Sequence, residues 1–221
     1  MVFTHANIIT PYDINTIEGD FGRRYVTPNG SYPSITTVLG DKEKPWLIDW
    51  RESMGEEAAD AEMARAAARG TAVHLMAEHY LQNKPNVCDG HLKEHADDFR
   101  KMRLMLNKIS NIHAQEAALW SDTLRLAGRV DCIAEFDGVL SVVDFKTSTN
   151  NKVSKQIEDY YLQTTAYALM FQEMYDIQID HYAIIMSVER GAVPLVFTGE
   201  IEPHICPLLE RINTYHKQHP L

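Results

Sequence analysis

The sequence predicts an α/β (α+β) fold, a central mixed sheet flanked by helices. Three observations predict it. Strong helix formers fill residues 56–81, two strands rich in Val, Ile and Phe meet at Asp137-Gly138, and the elements run helix, three antiparallel strands, helix, strands, helix. Elements in that order bury their apolar faces by laying helices on both sides of one sheet. A chain of 221 residues is long enough for one such domain and too short for two full ones. One domain over 1–221 is expected: 1–55 as an N-terminal extension, 56–110 as a helical region, and 111–221 as the sheet core with its flanking helices.

Residues 1–33 are rich in Pro, Gly, Asn and Tyr and read as irregular, apart from short strands near 3–9 and 23–27. Ser34 is placed to N-cap a short helix over 35–39 that Gly40 stops. Pro45 suits the first turn of a helix running through Trp46, Leu47 and Trp50 to about Met54. The two tryptophans suit base stacking or a core; core residues are the default expectation. Within 56–81, Gly70 marks a kink, a join or a close approach. His74 and Glu78 follow it on one helical face. A second helix spans 91–109 and carries Arg100, Lys101, Arg103 and Lys108, the densest basic cluster; a solvated face is its expected role. A first strand, 113–121, carries Glu116. After the hairpin and a polar loop over 148–154, a helix over 155–175 places Gln163 and Tyr167 on one face. Two β-like runs, 181–188 and 193–201, and a closing helix over 203–216 complete the chain.

The central hairpin fixes a register. Asp-Gly is favoured in two-residue turns because both central residues take positive φ. With Asp137 and Gly138 as the turn, Phe136 opposes Val139 and Asp131 opposes Asp144. Like charges so placed repel, and a cation reverses the sign. Lys146 points to the side of Asp144, with Ile133, Leu140 and Val142; Val130, Ala134, Phe136, Val143 and Phe145 take the other side. Two readings fit this hairpin equally. The carboxylates are ligands for a hard divalent ion such as Mg²⁺, or they sit at strand ends in water with Lys146 pairing one of them. A bulge at Gly138 would slip the register and separate them.

Composition sets further bounds. The 31 acidic residues outnumber the 21 basic ones, a formal charge of −10, so attraction to nucleic acid or anionic membrane is not written into the net charge. Cys88, Cys132 and Cys206 are widely spaced and odd in number, which argues for free thiols in a reducing compartment and against a disulfide framework or a Cys-ligated zinc or iron–sulphur site built from this chain alone. No signal-like N-terminus and no apolar run of spanning length occur, so a soluble, cytoplasmic protein is expected.

Four ordered motifs then carry a resemblance. Gly128-x-Val130-Asp131, Val143-Asp144-Phe145-Lys146-Thr147-Ser148, Gln163-x-x-x-Tyr167 and, upstream, Gly70-Thr71-x-x-His74 resemble the RecB-like branch of the PD-(D/E)XK nuclease superfamily over about residues 70–190. The segment 34–39 with the following Trp-bearing helix is similar to the N-terminal part of exonucleases of the mitochondrial genome maintenance and bacteriophage type. The resemblance implies a restriction-endonuclease-like core with an N-terminal helical arch, and Mg²⁺ or Mn²⁺ held by Asp131, Asp144, the backbone carbonyl of Phe145 and His74. It implies that Lys146 polarises the attacking water and that Gln163 and Tyr167 brace the site or contact the substrate backbone. Glu78 and Glu116 stand where such enzymes sometimes carry an extra acidic ligand. The family's Pro before the first Asp is Val130 here. Members holding an iron–sulphur cluster use four cysteines, which this chain lacks.

The implied activity is a metal-dependent DNA exonuclease acting on single-stranded DNA or DNA ends in replication, recombination or repair, in the host cell if phage-encoded. The competing readings are a structure-specific endonuclease and a non-catalytic DNA-binding module on the same fold. A small-molecule Mg²⁺ enzyme would need a phosphate-cradling glycine loop, and none is present.

Overall fold

The computed structural model describes residues 2–6, 9, 12–42 and 45–220. Eight strands and six helices are laid down in chain order among them. Strands β1 (Thr16–Gly19), β2 (Gly22–Thr27) and β3 (Gly30–Pro33) precede helices α1 (Ile35–Gly40), α2 (Pro45–Met54), α3 (Glu56–Leu81) and α4 (Lys93–Leu106). Then come β4 (Ile109–Ser121), β5 (Leu126–Phe136), β6 (Val139–Ser148), α5 (Glu158–Tyr175), β7 (His181–Val188), β8 (Leu195–Glu200) and α6 (Ile205–Gln218). Among the described residues no helix is long and apolar enough to cross a membrane.

The central sheet is mixed, in the order β4-β5-β6-β7-β8, antiparallel except for the β6–β7 pair. A parallel pair needs a crossover connection, and α5 supplies it. Both faces are covered. Val73, Met76, Phe99 and Met102 of α3 and α4 pack against Cys132, Ala134, Val143, Phe145 and Ile185. On the opposite face Leu162, Tyr167 and Phe171 of α5 pack with Ile35, Leu208, Ile133, Val142, Ile184 and Met186. Helix α5 is buried on nearly all sides, its polar Gln163, Thr164 and Thr165 included, because it lies between the sheet and α1/α6.

Helix α3 runs unbroken through Gly70, where a Cβ would lie 3.6 Å from Thr147 Oγ1, so this glycine marks close passage of α3 over the end of β6 rather than a kink. Ser34 caps α1 as expected, its Oγ accepting from Thr37 N–H at 3.0 Å. The Asp137-Gly138 turn has φ of 49° and 82°, the left-handed pair that the two-residue loop demands.

Several expectations need correction. Residues 12–33 are not largely irregular: β1, β2 and β3 form a second antiparallel sheet packed through Tyr25 and Tyr32 on Ala118, Trp120 and Ala127. Its strands are short and β1 is exposed throughout, so no alternation advertised it. The strand expected over 3–9 lies partly outside the described residues; His5 makes an isolated bridge to Ile112. Helix α5 begins later than residue 155, behind a 3-10 turn, Ser154–Gln156, that Gln156 closes by accepting from Val153 N–H at 3.0 Å. Trp46 is 64% exposed and α2 buries none of its described side chains. This helix lies along α3, tied by Arg51 to Asp60 at 2.7 Å. Most of the expected basic cluster is engaged within the chain: on α4 Arg100 pairs with Asp97 (2.6 Å) and Lys101 with Asp98 (3.0 Å), and beyond its end Lys108 pairs with Asp137 of the hairpin turn (2.7 Å).

Candidate active site

Backbone pairing decides where the acidic side chains go. The β5–β6 ladder keeps the expected register from Phe136↔Val139 to Cys132↔Val143 and stops there. Asp131 and Asp144, one step further, form no ladder pair. Instead the carboxylate of Asp131 enters the gap and Oδ2 accepts the Phe145 N–H at 2.7 Å.

The alternation of β5 also breaks at this point. Val130 packs in the α5-side core with Ile133 and Val142, whereas it was expected on the opposite face from them. Strand β4 breaks opposite: Ala114 and Ala117 both join that core, and Glu116 between them has φ of 45°. An irregularity of this kind re-aims side chains. Arg129 fixes it, Nη1 donating to the Glu116 carbonyl at 2.6 Å.

The consequence is a cluster from three elements. His74 of α3, Glu116 of β4 and Asp131 of β5 each place a ligand atom within 4.8 Å of the others. His74 Nδ1 is 3.5 Å from Asp131 Oδ2, and its ring meets Phe145 edge-on at 6.1 Å. Asp144 lies outside this cluster. It is fully buried; Oδ1 has no hydrogen-bond partner among the described residues, and Oδ2 has the Lys146 ammonium at 2.5 Å. Glu78 is one turn beyond His74 and is engaged by Gln82 (2.9 Å).

The charges answer to one another. Burial pushes the Asp144 carboxyl up to about 6 despite Lys146. Glu116 is pushed up to about 7 by burial, then by Asp131 and Glu78. Burial acts to raise Asp131 too, but His74, Lys146 and the Phe145 N–H hold it below the usual carboxylate range. Burial acts most strongly on His74 and lowers it, but the charge and hydrogen bond of Asp131 together with Asp144 leave it raised; Lys146 is raised because Asp144 and Asp131 outweigh its burial.

This donor set fits a divalent ion. A buried carboxylate oxygen with no partner is costly, and an imidazole with carboxylates is a set that Mg²⁺- or Mn²⁺-type ions accept. An octahedral ion with bonds of about 2.1 Å places opposite ligands about 4.2 Å apart, so the cluster closes on one with small movements.

On α5, Gln163 Nε2 donates to the Tyr167 hydroxyl at 3.1 Å, both residues buried. The glycine of the Gly-x-Val-Asp motif has its reason here: a Cβ on Gly128 would stand 2.8 Å from Tyr167 Cε1 and 3.2 Å from Ile35 Cγ2. Gly128→Ala is therefore expected to cost about 1–3 kcal/mol by overpacking, read as a lowered melting temperature, and to displace Tyr167.

Two residues near the site escaped the sequence reading. Tyr160 lays its ring 5.0 Å from Lys146 Nζ. It precedes Gln163 by three residues on one helical face, a spacing that carried the signal. Arg129 gave none. A cavity of 1140 Å³ lies elsewhere, beside Lys155, Tyr161, His204 and Arg211, and includes none of these carboxylates.

The model of the PD-(D/E)XK nuclease superfamily matches residues 47–190. The chain belongs to that superfamily. The match encloses all three elements that build the cluster, and the mixed five-stranded sheet flanked by helices is consistent with its restriction-endonuclease-like fold. The chain is also similar to "Mitochondrial genome maintenance exonuclease 1" from Mus musculus, 28% identical over 173 residues, which are 73% of this chain and 51% of the relative. The Homo sapiens protein of that name is 28% identical over 177 residues (72% and 50%), and the Xenopus tropicalis one 26% over 182 (74% and 50%). The chain thus spans about half the length of the curated relatives it matches.

Proposed function

We propose that this PD-(D/E)XK protein is a metal-dependent DNA exonuclease that hydrolyses phosphodiester bonds of single-stranded DNA or DNA ends in replication, recombination or repair. The observation that carries it is the meeting of His74, Glu116 and Asp131 beside the buried Asp144–Lys146 pair. The name borne by the similar proteins, an exonuclease, supports the preference for ends.

His74, Asp131 and Asp144 would hold Mg²⁺ or Mn²⁺, with the Phe145 carbonyl and Glu116 completing the set. Such an ion, when bound, would supply a water of lowered pKa and polarise the phosphoryl oxygen. Lys146 orients the attacking water and offsets negative charge as the phosphoryl group is attacked. The Phe145 N–H and His74 fix the Asp131 carboxylate. Gln163 and Tyr167 brace the β5 side of the site through Gly128. Helices before residue 110 wall the approach for a single strand.

Linear and circular single strands incubated together with Mg²⁺ or Mn²⁺ test the proposal. Loss of the linear strand alone, abolished by a chelator, is the expected result. Cutting of the circle makes the protein an endonuclease, and survival of both strands leaves a non-catalytic module.

The same site predicts a pH dependence without metal. Glu116, Asp144 and His74 bind protons more tightly folded than unfolded. Their contribution is complete below the unfolded pKa values and is lost as pH rises through the folded ones, about 6 to 7 for the two carboxyls. The depressed Asp131 acts oppositely, but only in more acidic solution. In chelator the melting temperature therefore falls between about pH 5 and pH 8. Saturating Mg²⁺ or Mn²⁺ raises it more at the higher pH, and Glu116→Gln flattens the chelator profile.

A further inference from the structure

The cavity of 1140 Å³ lies between α1, the start of α5 and α6, away from the metal-ligand cluster. Its buried wall is apolar and aromatic: Val38, Tyr161, Leu162 and Tyr215 are each 9% exposed or less. His204 lies nearly flat on Tyr161, with ring centroids 4.9 Å apart and planes at 21°. Tyr182 stands against both rings, at 5.2 Å from Tyr161 and 5.7 Å from His204. Burial lowers the His204 pKa, so its imidazole is uncharged at neutral pH. The result is a planar, neutral shelf at one side of an otherwise charged cavity.

The polar groups around this shelf are unspent. Among the described residues neither the buried Tyr161 hydroxyl nor a ring nitrogen of His204 makes a hydrogen bond, although both residues line the cavity. Arg211 gives Nη1 to the Leu39 carbonyl at 3.2 Å, holds Asp159 only at 3.5 Å through Nη2, and keeps Nε. On the rim, Lys42 and Lys155 carry no ion pair among the described residues, and neither do Glu158 and Glu210. Cations and carboxylates thus face one space without having neutralised each other.

That combination selects a ligand class. A simple anion would gain from Arg211 and the lysines but would be repelled by Glu158 and Glu210. A nucleotide uses every part. Its base stacks on an aromatic shelf whatever its identity, its phosphate takes the guanidinium fork, and the amino group of guanine, adenine or cytosine donates to a carboxylate. We propose that this cavity is a second nucleotide site, separate from the cleavage site, that takes a free nucleoside monophosphate with an amino-bearing base. The volume suits a ligand of that size with water, small-molecule sites running to about 1,000 Å³. The ligand class follows from the lining alone and stands apart from the nuclease reading.

Isothermal titration calorimetry of the full chain in chelator tests this, since without metal the buried carboxylates repel a phosphate. The probes are dGMP, dTMP, deoxyguanosine, inorganic phosphate and a short oligothymidylate. Binding of dGMP about tenfold tighter than of deoxyguanosine or phosphate is expected, with dTMP weaker because thymine has no amino group. His204→Ala should weaken dGMP about tenfold, His204→Phe should restore it, and Glu210→Gln should narrow the gap between dGMP and dTMP. Arg211→Gln should bring dGMP to the level of deoxyguanosine; Lys155→Gln, at an exposed position, repeats that test in part should Arg211→Gln fail to fold by circular dichroism. Unchanged dGMP affinity in folded His204→Ala and Lys155→Gln proteins, or no preference for dGMP over phosphate, overturns the site. An oligothymidylate that binds better than dGMP and is lost on the same variants replaces the free nucleotide by a strand and overturns the proposal as stated. Cleavage by wild-type and His204→Ala protein is scored apart and is expected to be equal. Nucleotide binding without cleavage removes the nuclease reading alone, and cleavage without nucleotide binding removes this site alone.

Discussion

Lys146→Ala is expected to lower cleavage of a labelled single strand by about 10²–10⁴-fold at saturating Mg²⁺, the usual weight of a positioned proton-handling or charge-stabilising group. The ammonium also has a structural task, and the two are separable. Asp144 is fully buried, and the Lys146 ammonium stands 2.5 Å from it. Removing one partner of a buried pair costs about 3–5 kcal/mol, so the variant should melt lower in chelator at neutral pH. A divalent ion held at Asp144, as proposed, would replace the lost positive charge. The metal-induced rise in melting temperature should therefore be larger for Lys146→Ala than for the wild type, while cleavage stays lost. Restored stability with lost cleavage assigns Lys146 to the chemistry. Wild-type cleavage by a folded Lys146→Ala protein removes it from the mechanism.

What the sequence showed of this site follows from what short-range chemistry can specify. Asp137-Gly138 dictated its own turn and, through it, five ladder pairs; period-2 alternation put Lys146 beside Asp144. Helical spacing joined Gln163 to Tyr167. The break in β4 and β5 had no such signature. Alternation carried straight through it predicts Asp131 facing Asp144, whereas the left-handed Glu116 turns the geometry toward α3. Glu116 thereby becomes a central member of the cluster, held by an arginine whose partner is a backbone carbonyl. Such partners leave no residue pattern. Trp46 illustrates the opposite limit: a large apolar residue on a helix suggests a core, but only the tertiary path of α2 decides whether a core is within reach.

How α3 comes to hold His74 at the sheet leads to the other large effect. Arg69 is 2% exposed on α3. Its Nη1 meets Glu189 Oε2 at 2.5 Å and its Nε lies 3.5 Å from Asp98 Oδ2, whose side chain is 4% exposed. Lys101 adds contacts of 3.0 Å to Asp98 and to the carbonyls of Val188 and Glu189, and Ser187 Oγ donates to the Asp98 carbonyl. This network pins α3, α4 and the end of β7 together five residues before His74, with Gly70 resting over Thr147 between them. Arg69→Ala withdraws the shared guanidinium and leaves Asp98 buried with Lys101 alone. The expected cost is about 3–5 kcal/mol, a fall in melting temperature on the order of 10 °C for a chain of this size. Arg69→Lys should recover little, since one ammonium cannot replace a planar fork directed at two carboxylates. Because the network sets the height and rotation of α3, Arg69→Ala should also weaken Mn²⁺ binding, measured by calorimetry below the melting transition, although residue 69 is no ligand. Wild-type melting and wild-type Mn²⁺ affinity together would show that α3 is held by its apolar face alone, through Val73, Met76 and Ala77.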